Sequence, residues 1–220
     1  MDKKYYYILF LLLFQVSAWA QFIDETIGQK TARTKRLVVK IDPTLWLVGP
    51  IPGAGDYRVS VELAMGAKSS IQIGVSYLTK SISTLLLDAA AAVNSSYTIN
   101  GFRFQFAYKF YPFWKYRTAP EGFFVGPHLS YAKAYFHDPQ SSPKYNTFSA
   151  TYSNVALLWG YQFIANETFV IEIFQGLGYR DNRIRNEYTG EEEKINYNPD
   201  YTPIPGDLKI YFGANVGFNF

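Results

Sequence analysis

One pair of side chains in the sequence could form a nucleophile and its base, namely His128 and Ser130. On a β-strand, residues two positions apart share a face, so the imidazole could accept the proton of the hydroxyl. A carboxylate would have to orient the imidazole, and Asp138 is the next one further along the chain. Leu129 and Tyr131 form the apolar face of this segment. The alternation therefore predicts that His128 and Ser130 point to the opposite, polar face, where a hydrogen-bonded interior histidine is the simpler interpretation.

A larger set of ionisable residues alternates with apolar residues and carries both signs of charge. Charges on one face of a strand must be paired if that face is buried, so we expect an ion-paired interior network. Such a network would plug a narrow barrel, and a conducting pore is the alternative. The predicted network contains Lys40, Asp42, Arg58, Glu62, Arg103, Lys109, Glu172 and Lys209, and the uncharged polar residues expected beside it are His128, Ser130, Asn154 and Gln162.

The composition indicates which elements position these side chains. Tyr, Phe and Trp make up 19% of the 220 residues, and aromatic residues concentrate where a protein meets both hydrocarbon and lipid headgroups. The chain has no Cys, which removes thiolate metal sites, redox pairs and a lipoprotein anchor. The sequence contains no motif for a metal ion or a cofactor, so neither is expected. The net charge of +3 gives no reason to expect nucleic-acid binding.

The N-terminus is typical of an export signal, with Lys3 and Lys4 before an apolar run and Ala18-Trp19-Ala20 after it. The apolar run has about ten residues, whereas a membrane-spanning helix needs roughly 20. We therefore predict a signal peptide at residues 1–20 that is cleaved during export, a periplasmic lead-in at 21–36 and a barrel domain at 37–220.

Alternation with a period of two residues predicts eight strands from residue 37 onwards. After Ala20, no run of 18 apolar residues is present. Bacterial single-chain barrels have an even number of strands, each alternating between lipid-facing and lumen-facing residues. The pattern thus predicts an all-β fold, an eight-stranded antiparallel up-and-down transmembrane β-barrel. The predicted strands are 37–47, 57–65, 71–77, 102–110, 123–136, 152–163, 169–179 and 208–220.

The fourth predicted strand fixes which face points outward. Turning it over would place Arg103 and Lys109 in hydrocarbon, at roughly 2 to 4 kcal/mol each near the bilayer midplane. The aromatic face, Phe102 to Phe110, is therefore expected outside. Lys133 is expected on the outer face near the outer end of its strand, where a long side chain can reach anionic headgroups.

The lengths of the connections alternate as they should in such a barrel, except that the first outer loop is brief. Short periplasmic connections are predicted at 66–69, 114–122 and 164–168, and outer loops at 49–56, 79–97, 137–150 and 180–207. The apolar stretch Leu85 to Val93 could be a loop helix or a strand extension. The charge run Glu191 to Lys194 is expected in a solvated loop, with cation bridging or adhesion to a partner as the functional alternative.

Aromatic residues also gather near the predicted periplasmic ends, as in the girdle that flanks the apolar band of a membrane barrel. A water-soluble β-sandwich gives no reason for this arrangement. The predicted girdle consists of Phe110, Phe113, Trp114, Phe123, Trp159, Phe163, Phe169 and Phe218, and Phe220 ends the last strand.

The export signal, the alternating strands and the terminal segment 213–220 resemble small outer-membrane barrels of the OmpX and OmpA transmembrane-domain type. The segments 57–62, 67–74 and 122–131 are similar to an uncharacterised family of Bacteroidota outer-membrane proteins. These resemblances imply a fold and an outer-membrane location without an activity. They also imply that Phe220 is an assembly signal for the barrel-assembly machinery, and that a monomer contacts outer-membrane lipid and lipopolysaccharide.

The sequence therefore predicts a non-enzymatic outer-membrane barrel with a plugged lumen and a structural or surface-interaction role. A narrow pore or transporter for small or hydrophobic solutes is the alternative. A lipid A-modifying enzyme is the third hypothesis, because lipid A deacylases use a similar His-x-Ser pair. In those enzymes the pair faces lipid and has acidic support, whereas here it is expected to face the interior.

Overall fold

A computed structural model describes residues 35–47, 54–90, 97–115, 117–142, 146–195 and 206–220. In these residues the chain is mostly strand, with two short helices. The strands are β1 Leu37–Ile41, β2 Ala54–Ala64, β3 Ser69–Lys80, β4 Thr98–Phe110, β5 Gly122–His137, β6 Thr147–Ala165, β7 Phe169–Asn186, β8 Glu192–Lys194 and β9 Leu208–Asn219; the helices are α1 Thr44–Leu47 and α2 Ile82–Ala90.

The strands form one closed antiparallel ring. Neighbouring strands pair in chain order from β1 to β7, and β9 lies between β7 and β1. β8 is not part of the ring, because it pairs only with the outer part of β7. The prediction of an eight-stranded antiparallel barrel is confirmed. No helix in the described ranges is long and apolar enough to cross a bilayer.

The side chains alternate between the two faces of the ring as the sequence predicts. In β4, Phe104 is 55% exposed on the outer face, whereas Arg103 is 4% exposed inside. β2 follows the same rule, with Val59 and Val61 outside and Glu62 fully buried. The barrel thus has an apolar exterior and a polar centre.

The two ends of the barrel differ. At one end, here called the turn end, β2–β3, β4–β5 and β6–β7 are joined by residues 65–68, 111–121 and 166–168. At the opposite end, here called the loop end, β6 and β7 remain paired as far as Phe148 and Asn186, and β8 pairs with the last part of β7. The interior near the loop end is filled by an apolar cluster, which consists of Ala54, Leu78, Ile99, Ala132, Ala134, Ala150 and Tyr152.

The first strand is shorter than predicted. It ends at Ile41, and the residues expected to continue it form α1. Pro43 explains the change, because proline cannot donate a ladder hydrogen bond and is tolerated in the first turn of a helix. The Thr44 hydroxyl donates to the Asp42 carboxylate at this bend.

The predicted outer loops also need correction, because the strands at the loop end are longer than expected. β7 continues to Asn186 instead of ending at Tyr179, and β8 lies within the predicted loop 180–207. The apolar stretch from Leu85 was predicted as a loop helix or a strand extension. The structure shows a helix, which covers residues 82–90. Residues 48–53 of the first loop, residues 91–93 of the apolar stretch and the signal peptide lie outside the described residues.

Two side chains on the outer face of the ring are nevertheless buried. Tyr161 is 7% exposed, and Arg117 and Glu121 of the β4–β5 connection lie near its hydroxyl. Gln175 is 7% exposed between its outward neighbours Trp159 and Phe212. The phase of β7 is therefore regular: Phe174 points inward and Gln175 outward.

The seam between β9 and β1 provides a test of the closed ring. Gly217 lies opposite Lys40, and a Cβ atom at this position would collide with the backbone oxygen of Val39. Gly217→Ala should therefore lower the free energy of unfolding by about 1 to 3 kcal/mol, as overpacking does. Urea unfolding followed by tryptophan fluorescence would measure this loss.

Gly74→Ala is the matched control, because its nearest atom is the Ser60 hydroxyl, which can rotate away. An equal loss in the two variants would contradict a tight seam.

Candidate functional site

The centre of the barrel holds a cluster of four ionised side chains, here called the ion cluster. Its members are Lys40, Glu62, Lys109 and Glu172, which come from β1, β2, β4 and β7. The Nζ–Oε2 distances are 2.5 Å for Lys40–Glu62, 3.0 Å for Lys109–Glu62 and 2.7 Å for Lys109–Glu172, and Lys40 also contacts Glu172. Each side chain is at most 3% exposed. Each cation thus contacts both carboxylates.

Polar neighbours complete the ion cluster. The Lys40 ammonium donates to Gln72 Oε1 at 2.7 Å and to Gln162 Oε1 at 3.0 Å. The Tyr111 hydroxyl donates to Glu62 Oε1 at 2.8 Å, and Asn215 Nδ2 donates to Glu172 Oε1 at 3.2 Å. Buried charges need such partners, because an unpaired ion in a low-dielectric interior is costly. Each charge of the ion cluster therefore has partners at the centre of the barrel.

A second group of charges lies on the inner face of β2 and β4. Arg58 Nη2 donates to Asp56 Oδ2 at 2.8 Å, and Arg103 donates to the same oxygen. Arg58 Nη1 also lies 3.7 Å from Asp42 Oδ2. Both arginines and both carboxylates are at least 90% buried. Asp56 therefore joins Arg58 of its own strand to Arg103 of β4, which lies on the far side of β3.

A cavity of about 260 Å³ lies beside these charges, here called the central cavity. Lys209 reaches it from β9, with Nζ 3.4 Å from Asn154 Oδ1 and 4.6 Å from the centre of the Tyr211 ring. The rings of His128 and Tyr211 meet edge to face at 5.6 Å. The polar and charged residues lining the cavity are Asp42, Arg58, Gln72, Arg103, Gln105, Lys109, His128, Ser130, Glu172, Lys209, Tyr211 and Asn215.

The His128–Ser130 pair lies on the inner face of β5. His128 is 6% exposed and Ser130 is 7% exposed. Asp138 lies beyond the strand, in the β5–β6 connection, where it accepts hydrogen bonds from Gln140 and Ser141. Within the described ranges, no carboxylate is hydrogen-bonded to His128. The nucleophile, base and acid suggested by the sequence are thus not assembled.

The structure places all twelve predicted interior residues on the inner side of the ring. Lys209 is the least enclosed of the charged ones, because β1 ends at Ile41 and pairs only with residues 216–219 of β9. No group of three or more His, Cys, Asp or Glu side chains in the described residues could hold a metal ion.

The residues of the predicted aromatic girdle lie on the outer surface, and most are near the turn end. Phe169 and Phe218 contact each other there with ring centres 6.1 Å apart, and Phe113 contacts Phe123 at 6.0 Å. Trp159 differs, because it lies six residues before the end of β6 and pairs with Val125 and Gln175. The residues near the turn end are Phe110, Phe113, Trp114, Phe123, Phe163, Phe169, Phe218 and Phe220.

Two interior residues were missed by the sequence analysis. Asp56 was assigned to a loop, although it has the same parity as Arg58 and Glu62 and so continues their face. Tyr111 has the same parity as Arg103 and Lys109, one residue beyond the end of β4. Extending the inward phase past the predicted strand ends would have found both residues.

The loop end carries ion pairs that are open to solvent. Arg183 lies 3.1 Å from Glu192, and Lys194 lies 2.8 Å from Asp207. The hydrogen bond from Lys194 lowers the pKa of the Asp207 carboxyl. The predicted solvated loop at Glu191 to Lys194 is thus a short exposed strand with its charges partly paired. Lys133 lies on the outer face of β5, with Nζ 5.0 Å from the centre of the Tyr135 ring.

The ion cluster provides the test of this site. Glu62→Gln keeps the shape of the side chain but leaves Lys40 and Lys109 with one carboxylate between them. Breaking a buried ion pair costs about 3 to 5 kcal/mol, so the free energy of unfolding should fall by that amount in urea titrations.

Glu193→Gln removes the same charge from exposed β8 and should leave stability unchanged. A loss in Glu62→Gln no larger than that of this control would show that the ion cluster does not hold the strands together.

Comparisons with known proteins give a family and a likeness to solved structures. No curated protein matches the chain. The crystal structure of a major outer membrane protein from Thermus thermophilus has a TM-score of 0.42 and 11% sequence identity, and the match covers 84% of this chain and 98% of that one. A family model described as "Protein of unknown function (DUF3575)" matches residues 26–203, which contain β1 to β8. The chain therefore belongs to the DUF3575 family.

Proposed function

We propose that this protein is a bacterial outer-membrane β-barrel whose lumen is closed by side chains, with a structural or surface-interaction role. The observation that carries the proposal is the outer face of the ring. Between the turn end and the outward residues Lys133 and Asp181, no outward position of the described strands carries a charge, and Gln175 is covered. Water-soluble monomers rarely expose a continuous apolar patch larger than a few hundred Å².

The height of this apolar band matches a bilayer. In β2, outward apolar residues run from Tyr57 to Met65, and in β4 from Phe102 to Phe110. Nine residues span about 30 Å along a strand, which a tilt of 35 to 45° reduces to about 20 to 25 Å of height. Membrane barrels have an apolar band about 25 Å tall. At the loop end the band gives way to the outward polar residues Asn100, Lys133, Thr151, Asp181 and Arg183.

The interior supports a plug rather than an open channel. The ion cluster crosses the lumen, and the turn-end side of it is packed with Ala64, Tyr111 and Phe124. The apolar cluster of small residues fills the loop-end side. An eight-stranded barrel has an interior just wide enough for side chains to fill it. We infer that the lumen is closed to ions.

The loop end supports the surface-interaction role. At the loop end, β6, β7 and β8 extend beyond the apolar band and carry exposed ion pairs. In the proposed orientation this end faces outside, the turn end faces the periplasm, and the predicted signal peptide directs export. Lys133 then lies where its ammonium can reach the phosphates of lipopolysaccharide. Phe220 is the outward aromatic that we expect the assembly machinery to bind.

The membrane proposal is tested by placing a charge on the outer face. Phe104→Arg puts a guanidinium near the middle of the band and should lower the free energy of unfolding from bilayers by about 2 to 4 kcal/mol. Tyr188→Arg, in the exposed β7–β8 turn, is the matched aromatic control and should have little effect. The measurement is urea unfolding of barrels refolded into phospholipid vesicles. A native wild-type chain that is soluble without detergent, and a Phe104→Arg variant as stable as the control, would overturn the proposal.

The plug is tested by conductance. In planar bilayers the refolded protein should give no steady large single-channel current, because charged and apolar side chains block the lumen on both sides of the ion cluster. Unfolded protein added to the same bilayer is the control for leaks. A steady, reproducible current would reject the plug and favour the alternative, a narrow pore for small solutes.

A further inference from the structure

The charges inside the barrel do not balance. Around the ion cluster and the central cavity lie five cations, which are Lys40, Arg58, Arg103, Lys109 and Lys209, and four carboxylates, which are Asp42, Asp56, Glu62 and Glu172. The ion cluster uses two of each. Asp42 and Asp56 contact Arg58 and Arg103. One positive charge, on Lys209, is left over.

Lys209 has no carboxylate within 4 Å in the part of the chain that the structure describes. Its ammonium contacts the neutral oxygen of Asn154 and the face of Tyr211. These contacts do not neutralise it, and an enclosed ammonium is expensive without an opposite charge. The unpaired positive charge of Lys209 therefore favours binding of one anion beside it.

Hydrogen-bond donors around the same cavity also lack partners among the described residues. Arg103 is 4% exposed and donates to Asp56 through Nη1. Its Nε and Nη2 atoms have no acceptor. The Tyr211 hydroxyl is unpartnered, as is Nδ1 of His128, whose side chain is also nine-tenths buried. Leaving a buried donor unsatisfied costs about 1 to 3 kcal/mol, and more for a charged group. Arg103, His128 and Tyr211 all line the central cavity with Lys209.

We propose that the central cavity binds one small oxyanion, the carboxylate or phosphate group of a small solute. The guanidinium of Arg103 offers a flat pair of N–H donors suited to two oxygens, and Lys209 supplies the second positive charge. The cavity volume of about 260 Å³ is near the lower end of small-molecule sites. Of the nearby carboxylates, Glu172 is held by Lys40 and Lys109, and Asp42 Oδ2 lies 3.7 Å from Arg58 without a hydrogen-bond donor among the described residues. The proposal goes beyond the plugged barrel, since a solute can be held in a lumen that does not conduct.

The experiment measures binding of inorganic phosphate and of acetate to the full barrel, refolded in zwitterionic detergent. Isothermal titration at constant ionic strength, with chloride as the reference anion, gives the affinity of each. The wild type should bind at least one of them saturably with one site per barrel. Lys209→Gln removes the unpaired charge and should weaken binding about tenfold or more, as the loss of a charge-assisted hydrogen bond does. Lys194→Gln removes a charge at the exposed loop end and should bind as the wild type does.

A second variant keeps the proposal testable if Lys209→Gln binds weakly for another reason. Asn154→Asp places a carboxylate of the same shape beside Lys209, so it should compete with the solute. This variant should lose anion binding while its midpoint of urea unfolding rises. No saturable binding of either anion by the wild type would overturn the proposal, as would equal affinity in the wild type, Lys209→Gln and Asn154→Asp. Heat-modifiable migration and the need for detergent are scored on the same samples, so failure of the membrane proposal would be seen separately.

Discussion

The rest of the structure depends on the pairing of Lys40, Glu62, Lys109 and Glu172 at the centre of the ring. Because the four side chains come from four strands, their contacts require one particular register between β1, β2, β4 and β7. Shifting any of these strands by one residue would turn its charge to the outside and its apolar residues to the centre. The register that pairs the charges of the ion cluster is therefore the same register that keeps the exterior apolar and the interior polar. Charged residues usually cost stability when they are buried, but here the exterior is the worse place for them.

The interior changes in character along the barrel axis. Aromatic and small apolar residues fill the turn end, the ion cluster follows, and the central cavity lies beyond it under the apolar cluster of the loop end. Among the described residues, the middle of the lumen therefore combines free volume with unpaired polar groups. Under the two proposals, the ion cluster closes the barrel and the residues around the cavity hold the ligand.

The sequence predicted the strands well where alternation was uninterrupted, as in β2 and β4. It failed where a local effect competes with alternation. Pro43 ended β1 early, and the leucine-rich segment after Lys80 formed a helix because it has no polar alternation to hold it in a sheet. Positions inside the ring could be assigned one strand at a time, but their partners could not. That Lys40 meets Glu172, or that Lys209 meets none of the carboxylates, depends on register across strands far apart in sequence.

The seam between β1 and β9 has a consequence for the order of events when the chain folds. Val38 pairs with Asn219 and Ile41 with Val216, so the ring is closed by segments from opposite ends of the barrel sequence. Hairpins such as β2–β3 can form from local contacts, whereas this pairing must wait until all intervening strands are in place. Until then β1 and β9 both present unpaired backbone edges, which are prone to join other chains. Folding of this barrel should therefore be slow, limited by the final closure, and most vulnerable to aggregation just before it.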